Sequence, residues 1–495
     1  NVKISYAPSD LRSIAYPGGA VALTIILAAR LTSAYWGQIS DCDETYNYWE
    51  PMHYLVYGNG LQTWEYSPKY ALRSYLPLWL FAVPAKILSL IMSPVSVFYT
   101  LRAILNCPVF VYMYIFGVHV GRVWLALVLP AAGSFASTAA MLPSAWSSAL
   151  VTAALACWWR RRYPSAILLV AATSILSWPF TALLGVPIAL DMLVLKRQIF
   201  EFIKWSLIAL VIFLVPTVIV DSWHYGRLVV TPWNIISYNI FTEHGPDLYG
   251  VEPWTYYFVN GFLNFNIVWV LSLSCPLLLA ACGAVARSTV RASFCAPYWL
   301  SLMPLALWLL VFMFSVLMRL SRIAALYQNY HGPMTVLRPL SDHVTNDHMI
   351  NDHEGDYVIV CYGKEWYRSP SHFHLQNGRI RFVRSEFDGQ LPAPYDEQHN
   401  ATRIIHPHFN DMNKGDNRTL LKPSECHYLV DSDLGSPTKL EPSYHKDPAW
   451  EVINTVPILD AAKSHKIFRA FYVPLLSSKH LVYGNMFLLK NKALA

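Results

Sequence analysis

The feature that most constrains this chain is a series of long apolar segments separated by short polar loops. An apolar helix of roughly 20 residues can cross a bilayer. Only 14% of the 495 residues are charged, whereas soluble domains carry roughly 25%. The pattern predicts an all-α, polytopic membrane bundle. The segments lie at about 16–38, 76–92, 96–119, 121–139, 142–158, 163–177, 178–195, 202–220, 264–286 and 297–318.

Loop charges predict the orientation of these segments. Short loops rich in arginine and lysine, such as Arg160–Arg162 and Lys196–Arg197, are typical of the cytoplasmic side. Two long loops, 41–75 and 221–263, carry mainly acidic charges and are predicted on the opposite side. Strict alternation of spans then fails before Arg160. We therefore expect a half-span or re-entrant helix near Pro130 or Leu142–Ser144, since broken helices are tolerated where they line a cavity.

The composition changes near residue 327, where charged residues, histidines and prolines become frequent. This predicts a membrane domain over 1–326 and a soluble, mixed α/β, lumenal domain over 327–495. Cys361 and Cys426 could pair in an oxidising compartment or remain two buried thiols. Asn400 and Asn417 begin glycosylation sequons, which favours the lumenal side. Short apolar runs predict strands at 357–362, 379–383, 427–430, 471–475 and 481–489.

An acidic cluster, Asp41–Glu44, follows the first apolar segment directly. It could be a solvated loop with a helix cap, or it could supply chemistry beside the bilayer. Transfer of a sugar to a hydroxyl needs a base for the acceptor proton. Asp43 or Glu44 could act as that base. Because adjacent residues point in different directions, we expect only one of them to face an acceptor.

The same reaction needs cations for a leaving phosphate. Arg73 and Arg227 lie in the two acidic loops, and a guanidinium binds phosphate through a planar fork. Either arginine could instead be an interfacial anchor. The net charge of +6 is mild and mostly in short loops, and it does not indicate a nucleic-acid partner. The eight cysteines are scattered, which argues against a structural zinc site.

The first acidic loop resembles that of a known enzyme family. Asp41–Pro51 and Gly60–Pro68 are similar to the first lumenal loop of the dolichyl-phosphate-mannose-dependent mannosyltransferases of glycosyltransferase family 22. Family members usually carry His-Pro-Asp-Glu here. The Asp-Cys-Asp-Glu form resembles the endoplasmic-reticulum branch that forms α-1,2 bonds in the N-glycan precursor. The resemblance continues through Ser177–Phe180, Thr231–Asn234, Tyr238–Asn239, His244–Gly250, Glu252–Trp254, Asn260–Asn266, Gly363–Arg368, Ser385–Phe387 and Cys426–Asp431.

The resemblance implies a GT-C membrane fold in the endoplasmic-reticulum membrane. The expected reaction moves mannose from dolichyl-phosphate-mannose to a dolichyl-diphosphate-linked oligosaccharide, with inversion at the β-linked donor. Asp43 would be the base and Glu44 a supporting acid. Arg73 and Arg227 would hold the donor phosphate or organise the loops. The expected cavity lining is Tyr238, Asn239, His244 and Trp254, and the terminal-domain residues expected either to hold the acceptor or to act as scaffold are Lys364, Trp366 and Arg368.

One family motif is absent from its expected place. A His-Lys-Glu-x-Arg-Phe motif followed by further spans is expected in a later lumenal loop, but Trp308–Met313 runs directly into Phe314–Arg319. About two spans are therefore expected to be missing near 313–314. An even number of missing spans would keep the terminal domain lumenal. The family's basic residues in that loop cannot be assigned here.

Other functions remain open on the sequence. A sibling enzyme could form another linkage or act on the glycosylphosphatidylinositol (GPI) anchor precursor. A transporter or scramblase would be expected to show internal repeats, and we find none. A glycosidase needs two facing carboxylates, which neighbouring residues do not readily provide. We expect no metal and no other cofactor, although Asp41–Asp43 has the D-x-D spacing of some metal sites.

Overall fold

The computed structural model of the chain describes residues 19–104, 131–241, 253–266, 269–270, 321–340, 357–375, 378–398 and 400–494. The N-terminal part is helical, and the C-terminal part contains a sheet. The longer α-helices span Gly19–Trp36, Glu50–Tyr57, Leu76–Leu88, Ala132–Thr138, Pro143–Trp159, Tyr163–Leu176, Ile199–Ala209, Val215–Tyr225, Thr231–Phe241 and Trp254–Phe265.

One continuous helix in the described part of the chain, Ile199–Tyr225, is long and apolar enough to cross a membrane. A second candidate is a bent pair, Ala132–Thr138 and Pro143–Trp158, with an angle of 110° at the break. The interruption expected near Leu142 is therefore present. Pro143 occupies the first turn of the second helix, where a missing N–H costs nothing. Parts of the predicted segments 96–119, 121–139 and 264–286 and all of 297–318 lie outside the described residues, as does the junction at 313–314.

Five strands of the C-terminal part form one mixed sheet, and their bounds are β2 Val358–Tyr362, β3 Gly378–Phe382, β5 Tyr428–Ser432, β6 Trp450–Leu459 and β7 Tyr483–Asn491. Their order across the sheet is β3-β2-β5-β7-β6. Strands β2, β3 and β5 are parallel, and β7 pairs antiparallel with β5 and β6. Cys361 on β2 and Cys426 beside β5 are joined by a disulfide, one of the two alternatives that the sequence left open.

Four of the five predicted strands are present, but the strand predicted at 471–475 is wrong. That stretch is a turn, in which the carbonyl of Val473 accepts the N–H groups of Leu476 and Ser477. Pro474 lacks an N–H for a sheet, and Leu475 has a φ of +67°. Strand β6 was missed because its sequence includes polar residues and Pro457. At the edge of the sheet, a proline need not break a ladder.

The first acidic loop is bound tightly to the C-terminal part. A two-stranded sheet joins β1, Leu61–Gln62, to β4, Ala393–Pro394. The carboxylate of Glu50 is fully buried, and its Oε2 lies 2.6 Å from Nδ1 of His372. These contacts make the first loop and the sheet region parts of one structure.

Candidate functional site

The acidic cluster begins a continuous helical stretch, Cys42–Glu44, Thr45–Trp49 and Glu50–Tyr57. Asp41 caps it, because Oδ1 of Asp41 accepts the N–H of Asp43 at 3.0 Å. This hydrogen bond fixes the backbone of Asp43. The side chain of Asp43 is accessible to solvent. Partial desolvation, together with the charges of Glu65 and Asp41, raises the pKa of Asp43 to about 6, and the charge of Arg73 opposes this rise. Such a carboxylate can accept a proton near neutral pH.

Glu44 points the other way and is buried. Its Oε1 accepts the indole N–H of Trp49 at 2.9 Å and the backbone N–H of Met141 at 3.0 Å. Burial raises the pKa of Glu44, and its hydrogen bonds and Arg102 oppose this rise. Met141 lies in the break between the bent helices. Glu44 thus fixes the acidic loop to that break, and Asp43 is the carboxylate of this pair that remains open.

The charge of Arg73 lies close enough to Asp43 to lower the pKa of the Asp43 carboxyl group. Its guanidinium forms a two-pronged ion pair with Glu65, with distances of 3.1 Å and 3.0 Å. It also donates to the hydroxyl of Tyr48 at 2.8 Å. These partners hold Arg73 in one orientation beside the acidic cluster.

A small cavity lies against Arg73 and collects segments that are far apart in the chain. Pro143 from the helix break lines it, together with residues from two of the motifs quoted above. The motif residues that line it are Ser177, Pro179, Thr231 and Pro232. The cavity thus joins the first loop, the broken helix and the start of the helix at Thr231.

The second predicted cation, Arg227, is exposed and organises the first loop. It donates to the carbonyl oxygens of Pro68 at 2.8 Å and Lys69 at 3.3 Å. The ring of Tyr238 lies 5.4 Å from that of Trp64, whereas the Asn239 amide donates to the carbonyl of Ile235 in its own helix.

For two further residues predicted to line the cavity, Trp254 and His244, the structure gives no side-chain contacts. Trp254 begins the helix Trp254–Phe265, and the structure does not describe its side chain. His244 lies outside the described residues.

The three predicted acceptor residues contact other parts of the protein. The ammonium of Lys364 lies 3.6 Å from Asp431, and Arg368 forms an ion pair with Glu365. The ring of Trp366 lies beside that of Tyr46, and its carbonyl accepts the Tyr46 hydroxyl. Because Tyr46 belongs to the same helical stretch as Asp43, this part of the sheet region borders the acidic cluster.

Sequence reasoning missed Asp221 as an individual residue. Its Oδ1 accepts the hydroxyl of Ser74 at 3.0 Å and the N–H of Tyr75 at 2.8 Å, and its Oδ2 accepts the hydroxyl of Thr231. Asp221 is fully buried and fixes both walls of the cavity. The only signal in the sequence was an acid at the start of a predicted loop.

The acidic cluster has the D-x-D spacing of some metal sites. Potential ligand atoms of Asp41, Cys42 and Asp43 lie within 4.8 Å of one another. Burial and the two neighbouring carboxylates raise the pKa of the Cys42 thiol to about 11, so the thiol is protonated near neutral pH. Mg²⁺ and Mn²⁺ prefer oxygen ligands, so the thiol adds little to a site for either ion.

Both predicted glycosylation residues, Asn400 and Asn417, are exposed. The sequon threonine Thr402 is buried, and its hydroxyl donates to the carbonyl of His224 at 2.8 Å. This contact holds one sequon against the end of the long apolar helix.

Known proteins resemble the chain over nearly its whole length. The α-1,2-mannosyltransferase Alg9 of Drosophila melanogaster is 39% identical, covering 96% of this chain and 88% of the relative. The human ALG9 is 40% identical, covering 96% and 89%. GPI mannosyltransferase 3 of D. melanogaster is 33% identical over 48% of this chain and 43% of its own length. No solved structure matches the chain significantly.

The alignments to the two α-1,2-mannosyltransferases span 551 and 543 positions, more than the 495 residues of the chain. Both alignments therefore contain positions at which this chain has no residue. The family model described as the Alg9-like mannosyltransferase family matches residues 21–315 and 274–376. These two matched ranges include the acidic cluster, the helix break and the residues that line the cavity. The chain therefore belongs to the Alg9-like mannosyltransferase family.

Proposed function

We propose that this chain transfers mannose from dolichyl-phosphate-mannose to a dolichyl-diphosphate-linked oligosaccharide and forms an α-1,2 bond. A mannosyltransferase of this family acts between a lipid-linked sugar donor and an oligosaccharide acceptor. The observation that carries the proposal is the open carboxylate of Asp43, fixed by the Asp41 cap near Arg73 and its cavity.

In the proposed reaction, the Asp43 carboxylate removes the proton of an acceptor hydroxyl. The hydroxyl oxygen attacks C1 of mannose while the bond between C1 and the phosphate oxygen breaks. Dolichyl phosphate leaves with the electron pair of that bond. A single displacement inverts the β-linked donor to an α-linked product. One base suffices for this route, in agreement with the single open carboxylate of the Asp43–Glu44 pair.

The donor phosphate is proposed to lie at the Arg73 side of the cavity. Fixed positive charge stabilises a leaving phosphate because it needs no rearrangement during the reaction. Glu65 and Tyr48 supply that fixation. Arg227 orders the loop behind Arg73, while Tyr238, Asn239, His244 and Trp254 remain proposed contacts of the substrates. Lys364, Trp366 and Arg368 remain proposed acceptor residues, with Trp366 nearest to the acidic cluster in the contact network.

We further propose that the chain is a multi-pass protein of the endoplasmic-reticulum membrane. Its acidic loops and its C-terminal domain would lie in the lumen. The Cys361–Cys426 disulfide suits an oxidising compartment. The exposed Asn400 and Asn417 side chains suit glycosylation on the same side.

The proposal is tested with purified protein in detergent, a synthetic lipid-phosphate mannose donor and a lipid-linked oligosaccharide acceptor. Mannose transfer that depends on both substrates is expected. Transfer to a GPI precursor alone would favour the sibling activity, to which the partial similarity of GPI mannosyltransferase 3 points. Movement of lipid across vesicles without transfer would favour a transporter, and release of free mannose would favour a glycosidase.

The pH dependence of the reaction provides a separate prediction. Because Asp43 must be ionised to accept a proton and its pKa is about 6, kcat/KM should rise with pH through about 6 and level off above it. Asp41→Asn keeps a good helix cap but removes one of the charges that raise the Asp43 pKa. Its acid limb should move to lower pH. Identical limbs in both proteins would argue against Asp43 as the titrating group.

We also expect transfer to need no divalent cation. The cluster offers one protonated thiol and two carboxylates, one of which already caps a helix. Dialysis against EDTA should therefore leave kcat unchanged, with a metal-dependent glycosyltransferase assayed in parallel as the control. A loss of activity that Mg²⁺ or Mn²⁺ restores would reinstate the D-x-D metal site.

A further inference from the structure

A second cavity lies away from the predicted site, at the far end of the helix Glu50–Tyr57. It encloses about 320 Å³, which falls in the range of small-ligand pockets. The turn Gly58–Leu61, strand β3 and residues 394–397 form its walls. Apart from residues 58–61 of the first loop, its lining comes from the C-terminal part, and it shares no residue with the cavity beside Arg73.

The walls present hydrogen-bond donors and acceptors together. Arg379 and Arg381 alternate along β3, so both point to the same face of an edge strand. The ring of Tyr357 lies 4.9 Å from the Arg379 guanidinium, and Arg381 hydrogen bonds to the Tyr357 side chain. Tyr357 therefore orders both arginines. Among the described residues, no ion pair within 4.0 Å neutralises either of them.

The acceptors come from the other walls. Asp396 and Glu397 line the cavity together with Asn59. Both carboxylates can accept hydrogen bonds from the hydroxyl groups of a ligand.

This balance of charges selects the class of ligand. Two guanidinium and two carboxylate groups give no net charge, which disfavours a free anion or cation. A sugar carries neighbouring hydroxyls that each donate and accept, and both group types can bind such hydroxyls through two bonds at once. The cavity chemistry therefore fits a neutral carbohydrate.

The cavity is too distant for the sugar that reacts. Asp43 and Tyr57 lie near opposite ends of one continuous helical stretch, about 20 Å apart at 1.5 Å per residue. We infer that this cavity is a second carbohydrate subsite, which holds a branch of the oligosaccharide acceptor remote from the reacting hydroxyl. The inference rests on the proposed function and extends it to the recognition of large acceptors.

The test compares a full-length lipid-linked oligosaccharide with a short synthetic acceptor that cannot span this distance. Arg381→Gln and Glu397→Gln should each raise KM for the long acceptor about tenfold and leave kcat unchanged. Neither variant should change KM for the short acceptor. Lys439→Gln, an exposed residue outside the cavity, is the charge-matched control for Arg381→Gln and should change nothing.

A second measurement needs no variant. Free oligosaccharide that lacks the reacting branch should compete with the long acceptor but not with the short one. Unchanged KM values in both cavity variants, or equal changes for both acceptors, would overturn the subsite while mannose transfer stands. Absence of transfer by the unmodified chain would instead overturn the proposed function. The subsite would then be judged by whether radiolabelled free oligosaccharide binds the unmodified chain more tightly than Arg381→Gln.

Discussion

Replacing Asp43 by asparagine is expected to lower kcat for mannose transfer by about 10³-fold, within the range that a general base contributes. Asparagine has nearly the same shape but cannot accept the acceptor proton. The Asp41 cap is retained, because it binds the backbone N–H of residue 43 and not its side chain. The measurement is transfer from saturating lipid-phosphate mannose under single-turnover conditions.

The melting midpoint of Asp43→Asn distinguishes a loss of chemistry from a loss of structure. The raised pKa means that the native state disfavours the charged form of Asp43 at neutral pH. Removing that charge should leave the melting midpoint unchanged or raise it. Asp41→Asn, which also removes one carboxylate from the cluster, is the matched control and should retain most of the activity. Undiminished turnover by Asp43→Asn would contradict its role as the base.

Replacing Glu50 by glutamine is expected to destabilise the protein by about 3 kcal/mol, as removal of one member of a buried polar pair typically does. Oε2 accepts the N–H of Leu61 at 2.8 Å and faces Nδ1 of His372, while Oε1 accepts the N–H of His372 at 2.8 Å. Burial alone would raise the Glu50 pKa, but the contact with His372 lowers it below its ordinary value. A glutamine NH₂ group would face donors at this site. The measurements are the melting midpoint and the amide exchange of strand β3.

A double-mutant cycle tests whether Glu50 stabilises the protein through His372. Nε2 of His372 accepts the N–H of Ile380 at 2.9 Å, which leaves Nδ1 to donate to Glu50. Glu50→Gln combined with His372→Ala should therefore cost less than the two single losses together. Exposed Glu386→Gln should have no effect. Additive losses would show that the first loop and the sheet region are not coupled through this pair.

Through this coupling the C-terminal part also positions the acidic cluster, in addition to its proposed contacts with the acceptor. Glu50 and Tyr46 lie on the helical stretch that Asp43 begins, and both contact residues more than 300 positions later. Loosening the sheet region should therefore displace the acidic cluster. The proposed domain boundary near residue 327 divides the sequence by composition, but the contacts of the first loop cross it.

Local chemistry made several elements predictable from the sequence. Val358–Tyr362 is a short apolar run rich in β-branched residues and forms a strand, and the helix break follows from Pro143. Strand β6 escaped prediction because its stability comes from pairing with β7, which an isolated sequence does not reveal. The strand predicted at 471–475 failed because Pro474 outweighed the apolar neighbours.

The candidate site was predictable only in part. Adjacency alone indicated that Asp43 and Glu44 would point in different directions. Which of them is buried depends on Trp49 and Met141, and the Met141 contact spans 97 residues. Likewise, the sequence suggested Arg73 as a free phosphate ligand, whereas the structure pairs it with Glu65. Long-range partners of this kind follow from the fold and not from local patterns.

We propose that one open carboxylate, Asp43, drives an inverting transfer of mannose. The most direct test is the linkage and anomeric configuration of the product that the purified chain makes from a β-linked lipid-phosphate mannose, determined by nuclear magnetic resonance. We predict a single new α-1,2-linked mannose, absent when Asp43→Asn is assayed. A β-linked product would rule out an inverting transfer, and an equal yield of α-1,2 product from Asp43→Asn would rule out Asp43 as the base.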